Sequence, residues 1–226
     1  MSSKDNLLGM KIHNHLLNLG LETPLVEGIE KINTETWAAQ MHIIAKAQTE
    51  IMTVLGLDLK DDSLAETPQR IAKMYTEEIF YGLDYRNFPK CTTVKNKMKY
   101  DEVVNSNHIT VHSVCEHHFQ PFIGHASVAY IPGERILGLS KFNRVVDFFC
   151  RRPQIQERLT EQVSTALRVI LETEDVAVVI RAEHYCVKLR GVQDANSDTV
   201  TSKLCGRFRS VPELRSEFLA LSRAAK

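Results

Sequence analysis

The sequence has no excess charge of either sign: lysine and arginine together number 28, and so do aspartate and glutamate. A balanced chain offers no global field to a polyanion or an anionic membrane, so neither nucleic acid nor lipid is an expected partner. Any anion site must come from local clustering. Long apolar runs are also missing, and nothing approaches the roughly 20 residues a membrane-spanning helix needs. The segment MSSKDNLLGMKIHNH lacks a sustained apolar stretch, so it does not read as a secretory signal, and the cytoplasm is the expected compartment. Cysteines are few and odd in number: Cys91, Cys115, Cys150, Cys186 and Cys205. Their spacing is not that of a small secreted disulfide framework, and in a reducing compartment a cysteine beside histidines suits metal binding or catalysis better than a disulfide. Internal repeats, low-complexity segments and a dinucleotide-type glycine fingerprint are absent.

What is present is ordinary globular material, 226 residues with 43% hydrophobic and 25% charged, enough for one or two domains. Residues 1–95 read as a helical region and residues 96–226 as a second, α+β domain. A weak helix ends at Gly20, and Pro24 and Gly28 mark a connection. A strong helix starts at Asn33, with Trp37, Met41, Ile44, Ile51, Met52 and Leu55 at helical spacing and Gly56 as its stop. That stripe reads as core or subunit contact. A second helix begins at Thr67-Pro68, with Thr67 as N-cap and Pro68 in the first turn, and Gly82 ends it. Arg70 and Lys73 share one of its faces, and read by themselves they are solvated cations.

After about residue 95 the period becomes two. Ile109, Val111 and Ser113 alternate with Thr110, His112 and Val114, and Gly124 to Ile131 forms a second strand. Two helices follow, one capped by Ser140 and one opened by Pro153. A third strand runs from about Val176 to Val187 and a weaker fourth from about Asp198 to Phe208. The order predicts an antiparallel four-stranded sheet with two helices on one face.

The densest chemistry is Cys115-Glu116-His117-His118. Cys-x-x-His sets a thiolate and an imidazole one tight turn apart, and soft sulfur with imidazole favours zinc over magnesium or calcium. This spacing favours His118 over His117 as the ligand, without excluding either. On the third strand His184 and Cys186 share a face with Val178, Ile180 and Ala182. A buried free cysteine is the plain alternative for Cys186. Two cysteines and one histidine would leave a fourth coordination position open, the mark of a catalytic rather than a structural site. His117 and His184 then stand beside the metal as acid and base candidates.

Ser140, Lys141 and Arg144 lie at a helix start, where free N–H groups and the dipole attract phosphate, although a solvated surface explains the same cations equally well. Lys188 and Arg190 follow Cys186 with the same parity. Glu157 opens another helix, where a carboxylate suits the dipole, or could accept two N–H groups of a guanine edge.

Six blocks in one order carry a resemblance over nearly the whole chain. They are Asp61-Asp62-Ser63-Leu64, Glu66-Thr67-Pro68-Gln69-Arg70-Ile71-Ala72-Lys73-Met74, Cys115-Glu116-His117-His118-Phe119, Gly138-Leu139-Ser140-Lys141, Arg152-Pro153-Gln154-Ile155-Gln156-Glu157-Arg158-Leu159-Thr160 and His184-Tyr185-Cys186-Val187-Lys188. Together they resemble GTP cyclohydrolase I of the bacterial type. The resemblance implies a tunnelling fold (T-fold), a homodecamer of two stacked pentamers and active sites between subunits. It implies zinc on Cys115, His118 and Cys186. Glu157 would hold the guanine edge with Gln156 close by, and Ser140 would contact the ribose. Lys141, Arg144, Arg190 and a neighbouring subunit's Arg70 and Lys73 would hold the triphosphate. The implied reaction turns GTP and water into 7,8-dihydroneopterin triphosphate and formate, the first step of tetrahydrofolate synthesis. His117 would protonate N7, and His184 would assist the later rearrangement.

Cys150 stands where the family has Ala or Ser, Cys205 where it has Gly, and residues 195–205 are less regular than its threonine-rich stretch. Two other readings compete. One is a non-catalytic zinc or nucleotide-binding module, against which three ligands with two unligated histidines argue. The other is a different T-fold pterin or deazapurine enzyme, such as a nitrile reductase with a covalent cysteine and nicotinamide, against which the Cys115, His118 and Cys186 set argues.

Overall fold

The computed structural model of the chain describes residues 3–26 and 34–223, and of residues 34–37 the backbone alone. Helix α1 (Asn6–Asn18) is capped by the Asp5 side chain, which accepts from Leu8 N at 3.0 Å. Gly20, at φ +66°, turns the chain after it, as expected from its position. Helix α2 (Thr34–Val54) is the strong helix of the sequence; Asn33 and the Trp37 side chain lie outside the described residues. Of its apolar stripe Met52 is buried, whereas Ile51 is 53% and Leu55 70% exposed on the single chain.

Helix α3 (Thr67–Lys73) is fed by a turn in which Thr67 N donates to Leu64 O, so the capping position is Glu66 and the Thr67 hydroxyl caps nothing. The helix continues as a π-helical turn, Met74–Ile79, a form enriched at functional sites. Ser140 departs from its expected role for the same reason. The helical turn starts one residue earlier, Lys141 N donates to Gly138 O, and Leu139 occupies the cap of α4 (Ser140–Cys150).

Strands β1 (Thr93–Lys95) and β4 (Arg135–Leu137) form a small ladder of their own. The main sheet contains β2 (Val104–Cys115), β3 (Pro121–Tyr130), β6 (Val176–His184) and β7 (Thr199–Leu204), all antiparallel, in the order β2-β3-β6-β7. These are the four strands the period-two pattern predicts. A fifth, β5 (Pro153–Gln154), lies parallel on β2. Pro153 therefore does not open a helix: Gln154 O accepts from Glu116 N at 3.0 Å, which holds this segment extended until α5 (Gln156–Leu171) begins. The third strand also ends early. Residues after His184 coil into the single turn α6 (Tyr185–Lys188), so strand parity does not place Cys186, Lys188 or Arg190.

Even-numbered residues of β3 and β6 (Ala126, Val128, Val178, Ile180, Ala182) face the main core with α1, α4 and α5. A bulge between Ser106 and Ile109 shifts parity on β2, so Ile109 and Val111 join the same face, and His108 sits at φ +54° within it. The opposite face is covered at one end by α7 (Arg207–Ser210) and α8 (Pro212–Arg223), whose Phe208 and Phe218 pack on Ala129 and Ala177.

Arg152, with no exposed surface, ties α1 and the following segment to this core. Its guanidinium donates to Glu22 at 3.1 Å and to the carbonyl of Gly82, and lies about 5 Å from the rings of Tyr85, Phe148 and Phe149. Glu22 also accepts from Tyr85 Oη at 2.5 Å and Thr23 N at 2.7 Å, and pairs with His13 at 2.7 Å. A Cβ on Gly82 would stand 2.2 Å from Phe148 O, so only glycine lets this turn approach α4.

Candidate metal centre

Three sheet residues in one row, Ser113, Phe122 and His184, mark the end of β2, β3 and β6. The candidate ligands lie just beyond them. Cys115 closes β2, and its N donates to Gln120 O at 2.8 Å while its O accepts from Phe119 N at 2.9 Å. These two bonds make the tight turn that carries Glu116, His117 and His118. Phe119, at φ +53°, completes it. From the other side, the turn α6 swings Cys186 towards Cys115. The donor atoms of Cys115, His118 and Cys186 all lie within 4.8 Å of one another, so the structure brings together a possible metal site. His117 is not in the set; its Nδ1 is 3.9 Å from Cys115 Sγ. Cys150 and Cys205 are buried elsewhere, and burial pushes the Cys150 thiol up to about 12.

The electrostatics fit a cation. Burial first, and then the neighbouring Cys115 sulfur, raise the Cys186 thiol above its ordinary value. A thiolate at Cys186 gains from positive charge placed between the two sulfurs. His118 accepts at Nε2 from the Arg190 guanidinium at 2.8 Å, so that nitrogen presents a lone pair rather than a proton. Soft sulfur and imidazole make a donor set suited to zinc.

Gln156 is buried at 1% exposure, and its amide orientation follows from its partners. Nε2 donates to the carbonyls of Ile180 and Thr199, each at 3.0 Å, which can only accept. Oε1 therefore faces His184 Nε2 at 2.8 Å, and that nitrogen must carry the proton. His184 also stacks on Phe122 at 4.7 Å. Burial lowers its pKa, against the opposing pull of Glu157, which favours the neutral ring. No local spacing links Thr199 and Thr201, on β7, to Gln156, or Phe122 to His184.

Glu157 is exposed at the start of α5, between inward-facing Gln156 and Arg158. Arg190 is at the cluster of Cys115, His118 and Cys186, but Lys188 turns away to Glu183 Oε2 at 2.9 Å. The remaining cations are not gathered there. Ser113 Oγ donates to Cys150 O at 2.8 Å, so the C-terminal end of α4 adjoins the ligand end of β2. Ser140, Lys141 and Arg144 belong to the other end of that helix, and Ser140 stands about 15 Å away along its axis at 1.5 Å per residue. Consistently, Leu137 N is bound by Tyr130 Oη at 3.1 Å, at the end of β3 opposite Pro121. Arg70, paired with Glu66 at 3.0 Å, and Lys73 lie exposed on α3.

The GTP cyclohydrolase I family profile matches residues 44–223. The protein named GTP cyclohydrolase 1 from Enterobacter sp. (strain 638) is 56% identical over 208 residues, 92% of each chain. Those of the same name from Salmonella arizonae and Salmonella newport are 55% identical over the same share. The matched span contains the ligand turn, the start of α5 and the α6 turn, and on these grounds the chain belongs to the GTP cyclohydrolase I family.

Proposed function

We propose that the chain is a zinc-dependent GTP cyclohydrolase I, converting GTP and water into 7,8-dihydroneopterin 3′-triphosphate and formate at the head of tetrahydrofolate biosynthesis, in the cytoplasm. The observation that carries this reading is the convergence of two thiols and one imidazole within 4.8 Å, in a chain 56% identical to a protein of that name. Zinc held by Cys115, His118 and Cys186 would supply a nucleophile made from water.

The remaining steps fall to the chain's own side chains. C8 of guanine is a poor electrophile, and a proton delivered to N7 by His117 makes it one. Glu157 accepts from the N–H groups of the guanine edge and fixes the base. His184 keeps its proton on Nε2 against Gln156, which leaves Nδ1 free to accept one as the opened ribose rearranges. Ser140 contacts the ribose. Arg190, Lys141, Arg144, Arg70 and Lys73 hold the triphosphate, which orients the substrate without reacting. The test is incubation of the purified chain with GTP. It yields formate and a fluorescent pterin, and a chelator stops both.

The separation of Ser140 and Lys141 from the ligand turn supports sites shared between chains, as a homodecamer of two pentamers provides. The exposed apolar residues of α2, Ile43 at 65% and Val54 at 87%, are suitable subunit contacts. Lys141→Ala and His117→Ala are each expected to be inactive, and co-assembly of the two should restore activity, because some sites then draw both intact residues from different chains. A mixture that stays inactive would place each whole site within one chain.

A further inference from the structure

The segment that runs from β5 into the first turn of α5 touches the candidate centre from both sides. Cys115 pairs with Gln154 in the parallel ladder, and Glu116 N donates to Gln154 O at 3.0 Å. Gln156 holds His184 at 2.8 Å. Glu157 alone of this stretch is exposed. Arg158 then returns to the turn: Nη1 lies 2.6 Å from Glu116 Oε2 and Nη2 3.3 Å from Oε1. This is a two-point pair, with the arginine side chain 15% and the glutamate 23% exposed. Glu116 sits between Cys115 and His117, so holding its carboxylate holds the direction of the turn that presents His117 and His118. Lysine could not reproduce the planar two-point grip.

We propose that Arg158 is a positioning residue: through Glu116 it locks the Cys115–His118 turn to the first turn of α5, so that the base-holding carboxylate and the metal ligands keep one separation. This rests on the function proposed above, in which Glu157 holds the base and the turn holds the metal. A solvated ion pair would matter little, because water competes for both partners. This one is largely out of water, and its acid belongs to the ligand turn itself.

The test uses the full zinc-loaded chain with Arg158→Gln, Glu116→Gln, the double variant and Arg158→Lys. Four quantities are measured: kcat, KM for GTP, thermal midpoint and the rate at which a chelator removes zinc. Each glutamine variant is expected to keep KM within about threefold while kcat falls about 10–100-fold and zinc leaves faster by a similar factor. The double variant should be no worse than either single, since both remove one contact. Arg158→Lys should fall between, and it decides the matter should Arg158→Gln fail to fold. Wild-type kcat and zinc release in these variants would overturn the proposal, as would multiplying losses in the double variant. A wild-type chain that makes no formate would overturn the cyclohydrolase reading instead, and zinc release would still judge the clamp.

Discussion

Cys186→Ser is expected to strip the purified chain of its metal and reduce turnover of GTP to background. Serine is nearly isosteric but offers no soft donor, and the remaining pair, Cys115 and His118, is short of the three protein ligands a catalytic zinc site needs. Cys186 is half-buried on a single helical turn beyond the sheet, outside the packed rows of β3 and β6, so the fold should survive. Circular dichroism and elemental analysis separate the two effects: a native spectrum with no zinc supports the assignment. Cys150→Ser is the control, since that thiol is buried and outside the ligand set. Tight zinc retained in Cys186→Ser would remove Cys186 from the ligands.

Glu22→Gln is expected to destabilise the chain by about 3–5 kcal/mol, because it leaves the Arg152 guanidinium buried without its counter-charge. Arg152 is completely enclosed, and Glu22 joins it to His13, Tyr85 and Thr23. The pH dependence has a definite sign. Burial pushes the Glu22 carboxyl up, but the contacts from His13, Arg152, Tyr85 and Thr23 outweigh it and hold it below 4.5. A group depressed on folding stabilises above its unfolded pKa, and the contribution is lost as pH falls through the folded value. The gap between wild type and Glu22→Gln in chemical unfolding, taken at one protein concentration, should therefore be full at neutral pH and shrink below about pH 4.5. A gap that does not change with pH would mean that the charge on Glu22 contributes nothing.

Much of this was legible in local patterns. The alternation at 109–114 and 124–131 became β2 and β3, and Val178, Ile180, Ala182 and His184 do share one face, because a side chain's direction in a strand depends only on its neighbours. Cys115 and His118 were readable for the same reason: one turn joins them. Cys186 reached the site by a different route from the one parity suggests. His-Tyr-Cys-Val-Lys has strand composition, yet it coils once the sheet partner ends at Phe122. What could not be read depends on long-range closure. Arg152 meets Glu22 across 130 positions, Gln156 meets Thr199 across 43, and the bulge at His108 changes parity with no warning in composition. The separation of Ser140 and Lys141 from the Cys115 turn is likewise a property of helix direction, and no spacing reveals which end of α4 faces that turn.

Turnover by this chain should open the imidazole ring of GTP and expel C8. GTP labelled with carbon-13 at C8 tests it directly, with zinc content measured on the same sample. One labelled formate is expected for each dihydroneopterin triphosphate formed. Label retained in an unchanged purine, with zinc at full occupancy, would contradict it.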